Sequence, residues 1–120
     1  MKINLALAQV TTVLGNVEKN LEKHLAVIRD AGLRGADLVV FPELSLTGYV
    51  LQDLVPTVAC RPRKDDPVFQ PLFAASQKID IVVGFAEEDV RNRFYIASAY
   101  LSRGELLHTA ATSHLKCAQS

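Results

Sequence analysis

Two rhythms of apolar residues alternate along the chain. Residues 3–10, INLALAQV, are almost wholly apolar, with Asn4 and Gln9 the only polar side chains, and predict a buried strand. Gly15 and Asn16 break that run, and Asn16 is a good helix N-cap. In the segment VEKNLEKHLAVIRDAGL that follows, Val17, Leu21, Leu25 and Ile28 recur at i, i+4, i+8 and i+11, which predicts a helix with one buried face. Glu18 in the first turn and Arg29 near the last suit the helix dipole, and Gly32 or Gly35 can end the helix. His24 is read on the mostly polar side of this helix, where it is expected to be solvated.

The rhythm then changes. ADLVVF is a continuous apolar run of the kind found in a strand covered on both faces, and Pro42 ends its regular pairing because it has no N–H to donate. Residues 44–67 hold three prolines and a glycine and predict a long loop. A second amphipathic helix is expected over Val68–Lys78, with Pro67 near its first turn. Ile79–Ala86 predicts another buried strand and RFYIASAYLS a further one. Arg103-Gly104 predicts a tight turn into a strand that begins at ELLHT. The order strand, helix, strand, loop, helix, strand, strand, strand points to an α/β layered fold whose closing hairpin makes the sheet mixed. The segment AATSHLKCAQS carries no clear period, so residues 1–109 read as one unit and 110–120 as a divergent tail.

Composition narrows the class. With 120 residues, 49% of them apolar and 22% charged, the chain suits one soluble globular domain or part of a larger one. Thirteen basic residues balance thirteen acidic ones, so neither nucleic acid nor an anionic membrane is indicated as a partner. The short run Arg61, Arg63, Lys64 precedes Asp65 and Asp66 and reads as a solvated loop. Cys60 and Cys117 show no CxxC spacing, which argues against a disulfide framework or zinc site and fits a reducing cytosol. No apolar run approaches the ~20 residues of a spanning helix, and the N-terminus lacks the pattern of a signal peptide. The expected location is cytoplasmic. No two histidines share ligand-like spacing, and no glycine-rich phosphate loop is present, so no metal or other cofactor is implied.

The candidate chemistry lies in LVVFPELSLTGY, residues 38–49. An apolar strand runs into Pro42 and then places a carboxylate, Glu43, just past its carboxyl end, where open α/β sheets bind ligands. Apolar neighbours would disfavour its charged form and suit it to proton transfer near neutrality. The competing reading is a structural glutamate bonded to backbone N–H groups of the loop. Tyr49, after the Thr47-Gly48 turn, is a candidate for the pocket mouth or for packing.

LALAQV followed by GNVEKNLEKHLAVIRDAGLRGADLVVFPELSLTGY resembles the opening of the nitrilase, or carbon–nitrogen hydrolase, superfamily. VVGFAEED resembles the next strand of that family and NRFYIASAYLSRGELLH its following hairpin. The resemblance extends from residue 3 to about residue 109 and is near the glutaminase domain of glutamine-dependent NAD synthetases. It implies an αββα sandwich, here incomplete and about its N-terminal half, with a mixed sheet and helices on one face. It further implies an enzyme that cuts non-peptide C–N bonds in a small amide, nitrile or glutamine, without a metal. Family members use a Glu–Lys–Cys triad. The thiolate attacks the carbon to form a thioester or thioimidate, the carboxylate moves the proton and later activates water, and the lysine stabilises the oxyanion. By its place in the motif, Glu43 corresponds to the general base.

The rest of the triad departs from the pattern. Thr112 falls where the family's lysine belongs, Lys116 lies four residues later, and Cys117 lacks the family's preceding strand. The expectation is therefore a chain that lacks the lysine and thiol, truncated or shifted out of frame near residue 109. The alternative from another class is an inactive fragment or pseudoenzyme that acts only by packing against a partner. A homo-oligomer is admitted, because the family commonly pairs its sandwiches.

Overall fold

A computed structural model of the chain describes residues 2–48 and 55–115, with the side chains of Thr57 and residues 112–115 left aside. Tyr49, Lys116 and Cys117 lie outside the described residues. The elements are β1 (Leu5–Leu7), α1 (Val17–Leu33), β2 (Leu38–Val40), α2 (Val55–Val58), α3 (Phe69–Ala75), β3 (Asp80–Glu88), β4 (Phe94–Ser102) and β5 (Glu105–Leu115). They form a mixed sheet of order β1-β2-β3-β4-β5. β1, β2 and β3 are parallel, and β3, β4 and β5 run antiparallel in sequence.

The parallel pairs need crossover connections, and α1 and then the loop with α3 carry the chain back to the same end of the sheet. Helix α1 begins where expected, with the Lys19 N–H donating to Asn16 Oδ1 at 3.0 Å. Replacing Asn16 with alanine is expected to cost about 1 kcal/mol, visible in a thermal melt as a fall of roughly 3–6 °C. Helix α3 is shorter than its expected span. Its start is held by Asp66, whose Oδ1 accepts from the N–H groups of Val68 and Phe69. The β4–β5 hairpin closes through Arg103 and Gly104, both at positive φ (53° and 78°), as a two-residue type I′ turn requires.

α1 and α3 cover one face of the sheet. Ile28 and Ala31 of α1 and Phe69, Leu72 and Phe73 of α3 share one core with Val39, Ile81, Val83, Phe85, Ala97, Ala99 and Leu101. Phe69 meets Phe85 edge-to-face at 4.9 Å. The opposite face carries a smaller cluster in which Leu44 and Val55 pack on Ala86 and Phe94. Elsewhere on that face Leu5 and Leu7 are 54% and 75% exposed.

Two expectations need correction. The segment after residue 109 was expected to lack a strand signal, yet β5 stays paired with β4 as far as Leu115. Its ladder absorbs the irregular sequence through register shifts at Ile96/Ala97 and Tyr100/Leu101, each of which lets one strand bend without losing its partner. The loop over 44–67 also holds a single helical turn, α2. The run at 61–64 lies in a loop as expected, and there it forms ion pairs, with Arg61 on Glu88, Arg63 on Asp65 and Lys64 on Glu105.

Candidate active site

β2 ends at Val40, and the chain rises into an arch over residues 41–48 before it returns to the sheet. Backbone accounting shows how the arch is inserted. The Val82 carbonyl of β3 accepts from Phe41 N–H, the Gly84 carbonyl from Leu46 N–H and the Ala86 carbonyl from Cys60 N–H. The edge of β3 is thus satisfied in sequence by two residues of the arch and then by Cys60, as buried backbone groups require. Glu43 sits between the first two ties, at the crest.

Inside the arch, Ser45 N–H donates to the Pro42 carbonyl, and the N–H groups of Thr47 and Gly48 both donate to the Leu44 carbonyl. The amides of Ser45, Leu46, Thr47 and Gly48 are therefore engaged by backbone carbonyls. That disfavours the reading of Glu43 as a structural carboxylate bonded to those N–H groups. Glu43 itself is exposed, while Phe41 and Leu44 to Gly48 are buried. The apolar enclosure expected around the carboxylate is not supplied by the described residues: the apolar side chains of the motif turn inward and leave Glu43 outside. Leu44 adopts φ 53°, a left-handed conformation that costs a non-glycine residue about 1 kcal/mol or more and gathers at functional sites.

β3 makes room for the arch at one residue. A Cβ on Gly84 would lie 2.6 Å from both Leu44 N and the Pro42 carbonyl oxygen, and 3.0 Å from Glu43 Cα. Only glycine lets the crest lie this close to the sheet.

The other support comes from α1 and corrects the expectation for His24. His24 is fully buried, with its ring stacked on Phe41 at 4.2 Å between centroids. Its Nδ1 is 2.7 Å from the Asn20 carbonyl and its Nε2 is 2.9 Å from Ser45 Oγ. One turn earlier, Asn20 is also fully buried. Its Nδ2 donates to the carbonyls of Leu46 and Val13, and its Oδ1 accepts from Val13 N–H. The deepest stripe of α1 is thus Asn20, His24, Ile28 and Ala31. The apolar residues Val17, Leu21 and Leu25 flank it half-buried. At 100° per residue His24 lies about 20° from Val17, so a helical projection holds the signal that a polar/apolar count misses.

Burial holds the His24 imidazole below its usual 6.5, against the opposing pull of the Asn20 carbonyl. The ring is therefore neutral in the fold at a pH where the unfolded chain is charged. This contribution to stability is fully present above pH 6.5 and is lost as pH falls through the depressed native value. The melting temperature is expected to fall as pH drops below about 6.5, and His24→Phe is expected to flatten that part of the profile.

Two clefts meet at Glu43. One, of about 500 Å³, is lined by Val10, Thr12 and Leu14 of the β1–α1 connection and by Pro42, Glu43, Leu44, Ser45 and Gly48. The other, of about 190 Å³, opens toward β4 and is lined by Phe41, Pro42, Glu43, Gly84, Ile96, Ala97 and Ser98. Both lie outside the carboxyl end of a parallel strand, where such sheets place ligands.

The described cysteine is no nucleophile. Cys60 is buried, its Sγ 3.4 Å from the Val58 carbonyl. Desolvation, helped by the Asp66 carboxylate, pushes its thiol up to about 12. In Cys117→Ser protein, Cys60 is expected to react with a thiol reagent at pH about 8 roughly 10²-fold more slowly than after unfolding. Thr112 lies in β5, in the strand that pairs with β4. No helix among the described residues is long and apolar enough to cross a membrane.

Comparison with known proteins places this geometry. Residues 4–117 match the family described as Carbon-nitrogen hydrolase. The glutamine-dependent NAD(+) synthetase of Thermotoga maritima is 33% identical over 109 residues, covering 88% of this chain and 18% of that protein. The solved glutamine-dependent NAD+ synthetase of Acinetobacter baumannii superposes with a TM-score of 0.74 at 31% identity, covering 93% of this chain and 21% of that one. An amidase from Nesterenkonia sp. gives a TM-score of 0.78 at 19% identity, covering 98% of this chain and 49% of that one; this likeness concerns the fold. The chain spans about a fifth of the length of the NAD synthetases it matches and about half of that amidase. A family match over nearly its whole length, together with 33% identity to a glutamine-dependent NAD(+) synthetase over 88% of the chain, establishes that this chain belongs to the carbon–nitrogen hydrolase family.

Proposed function

We propose that this chain supplies the general base of a thiol-dependent C–N hydrolase, with Glu43 in that role and a small amide, glutamine, as substrate. The observation that carries the reading is the arch. A strained, tightly supported turn holds an exposed carboxylate at the junction of two clefts, past the end of a parallel strand. Glutamine is favoured over other amides because the two NAD synthetases are similar in sequence as well as in fold. In this reading a thiolate attacks the amide carbon, Glu43 takes the thiol proton and the proton reaches the departing ammonia. Glu43 then activates the water that hydrolyses the thioester. In this reading neither Thr112, which stands at the lysine position that the family resemblance implies, nor the buried Cys60 supplies the stabilising ammonium or the thiol. The setting is cytoplasmic.

A second reading, association without catalysis, is favoured by one observation. Leu5 and Leu7 stand exposed on the face of the sheet opposite α1 and α3, and an apolar patch of this kind favours a partner. Ammonia release from glutamine, simple amides and nitriles tests where the thiol lies, and a concentration-dependent dimer in sedimentation, with no Glu43-dependent rate in any complete site, would favour association. Residues 1–120 alone are expected to release none. Sustained release by residues 1–120 that is lost in Cys117→Ser would overturn the assignment of the thiol.

A further inference from the structure

We propose that His24 is a positioning residue for Glu43, holding both flanks of the Pro42–Glu43–Leu44 crest from within α1. The proposal rests on the reading of Glu43 as base and adds a residue that acts on it at one remove. Phe41, two residues before Glu43, stacks on the His24 ring at an interplanar angle of 26°. Ser45, two residues after Glu43, meets His24 Nε2. One side chain therefore grips the arch on each side of the carboxylate and leaves the carboxylate itself exposed.

The proton inventory fixes the direction of these bonds. The Asn20 carbonyl can only accept, so His24 Nδ1 carries the hydrogen. In the neutral ring Nε2 is then an acceptor, and Ser45 Oγ–H donates to it. The other acceptor for that hydroxyl is the Gly84 carbonyl, at the longer distance of 3.5 Å. A leucine at position 24 would fill the space but leave a 1% exposed serine hydroxyl with only this long contact. The histidine thus does what an apolar residue cannot: it packs against one flank and accepts from the other. A left-handed Leu44 persists only where its surroundings over-determine it, and His24, Asn20 and Gly84 are those surroundings.

Amide exchange and ¹⁵N spectroscopy test this without any assay of activity. Wild type, Ser45→Ala, His24→Phe and the double variant are compared. Ser45→Ala leaves His24 Nε2 without its donor, and His24→Phe leaves the Ser45 hydroxyl only its long contact to the Gly84 carbonyl. Exchange at the Ser45 and Leu46 amides is expected to quicken about tenfold in each, while the Ile81–Val83 amides of β3 stay unchanged. The double variant removes both partners and is expected to match the singles, not to reach about a hundredfold. In wild type the ring should show a protonated Nδ1 and a hydrogen-bonded, bare Nε2, with the Nε2 signal alone shifting in Ser45→Ala. If His24→Phe fails to fold, Ser45→Ala decides by itself. Unchanged exchange at Ser45 and Leu46, an equal rise across β3, or a wild-type ring protonated at Nε2 would overturn the proposal. Glu43→Gln should leave these exchange rates as they are. Loss of the base reading would then appear in hydrolysis alone, and loss of the positioning reading in exchange alone.

Discussion

Gly84→Ala is expected to destabilise the chain by about 3 kcal/mol and to lower its melting temperature by roughly 10–15 °C. The added methyl group meets backbone on both sides of Glu43, at 2.6 Å from Leu44 N and from the Pro42 carbonyl oxygen. Backbone cannot swing aside as a flexible side chain does. Either β3 or the crest must shift, and with it the tie from Leu46 N–H to the Gly84 carbonyl. The same substitution at Gly32 provides the contrast. Gly32 lies in α1, exposed, with nothing within 4 Å of its added Cβ, so Gly32→Ala should stabilise by about 0.5–1 kcal/mol through helix propensity. Thermal melts of the two variants read opposite signs from one chemical change. Equal effects would show that the arch does not press on β3 as described.

Glu43→Gln is expected to lower C–N hydrolysis by roughly 10²–10⁴-fold wherever this chain forms part of a complete site. The amide is nearly the same size but cannot take the thiol proton or activate water. Because Glu43 is exposed, removing its charge should leave the fold untouched. Stability within about 0.5 kcal/mol of wild type is what distinguishes a chemical role from a structural one here. Loss of rate together with a lower melting temperature would assign Glu43 to the scaffold.

Which features were legible in the sequence follows from what each depends on. Helix α1 was readable because capping and periodicity act locally: Asn16 caps it and Val17, Leu21, Leu25 and Ile28 mark its buried side. β3 and the β4–β5 hairpin were readable from β-rich runs punctuated by Arg103-Gly104. Glu43 was singled out because an apolar strand seldom ends in a carboxylate. The arch's supports were hidden because they depend on tertiary contact. Gly84 carries no local signal in VVGFAEE, since its meaning lies in a backbone forty residues earlier. His24 was assigned to the solvated side by residue type and Asn20 was passed over, and the partners that make their burial tolerable, Leu46, Val13 and Ser45, belong to other segments. The continuation of β5 beyond residue 109 was missed because a strand with register shifts loses its alternation.

The reading of Glu43 as a base is tested most directly in a chimaera. Residues 4–109 of this chain would replace the homologous segment of the Thermotoga maritima glutamine-dependent NAD(+) synthetase, once with Glu43 and once with glutamine. Glutamine-dependent NAD+ formation is then measured in both, with melting temperatures matched. The chimaera with Glu43 is predicted to turn over and the Glu43→Gln version to run roughly 10²–10⁴-fold slower. Rates within about threefold of each other, a difference of less than 1 kcal/mol in barrier, would contradict the role assigned to Glu43.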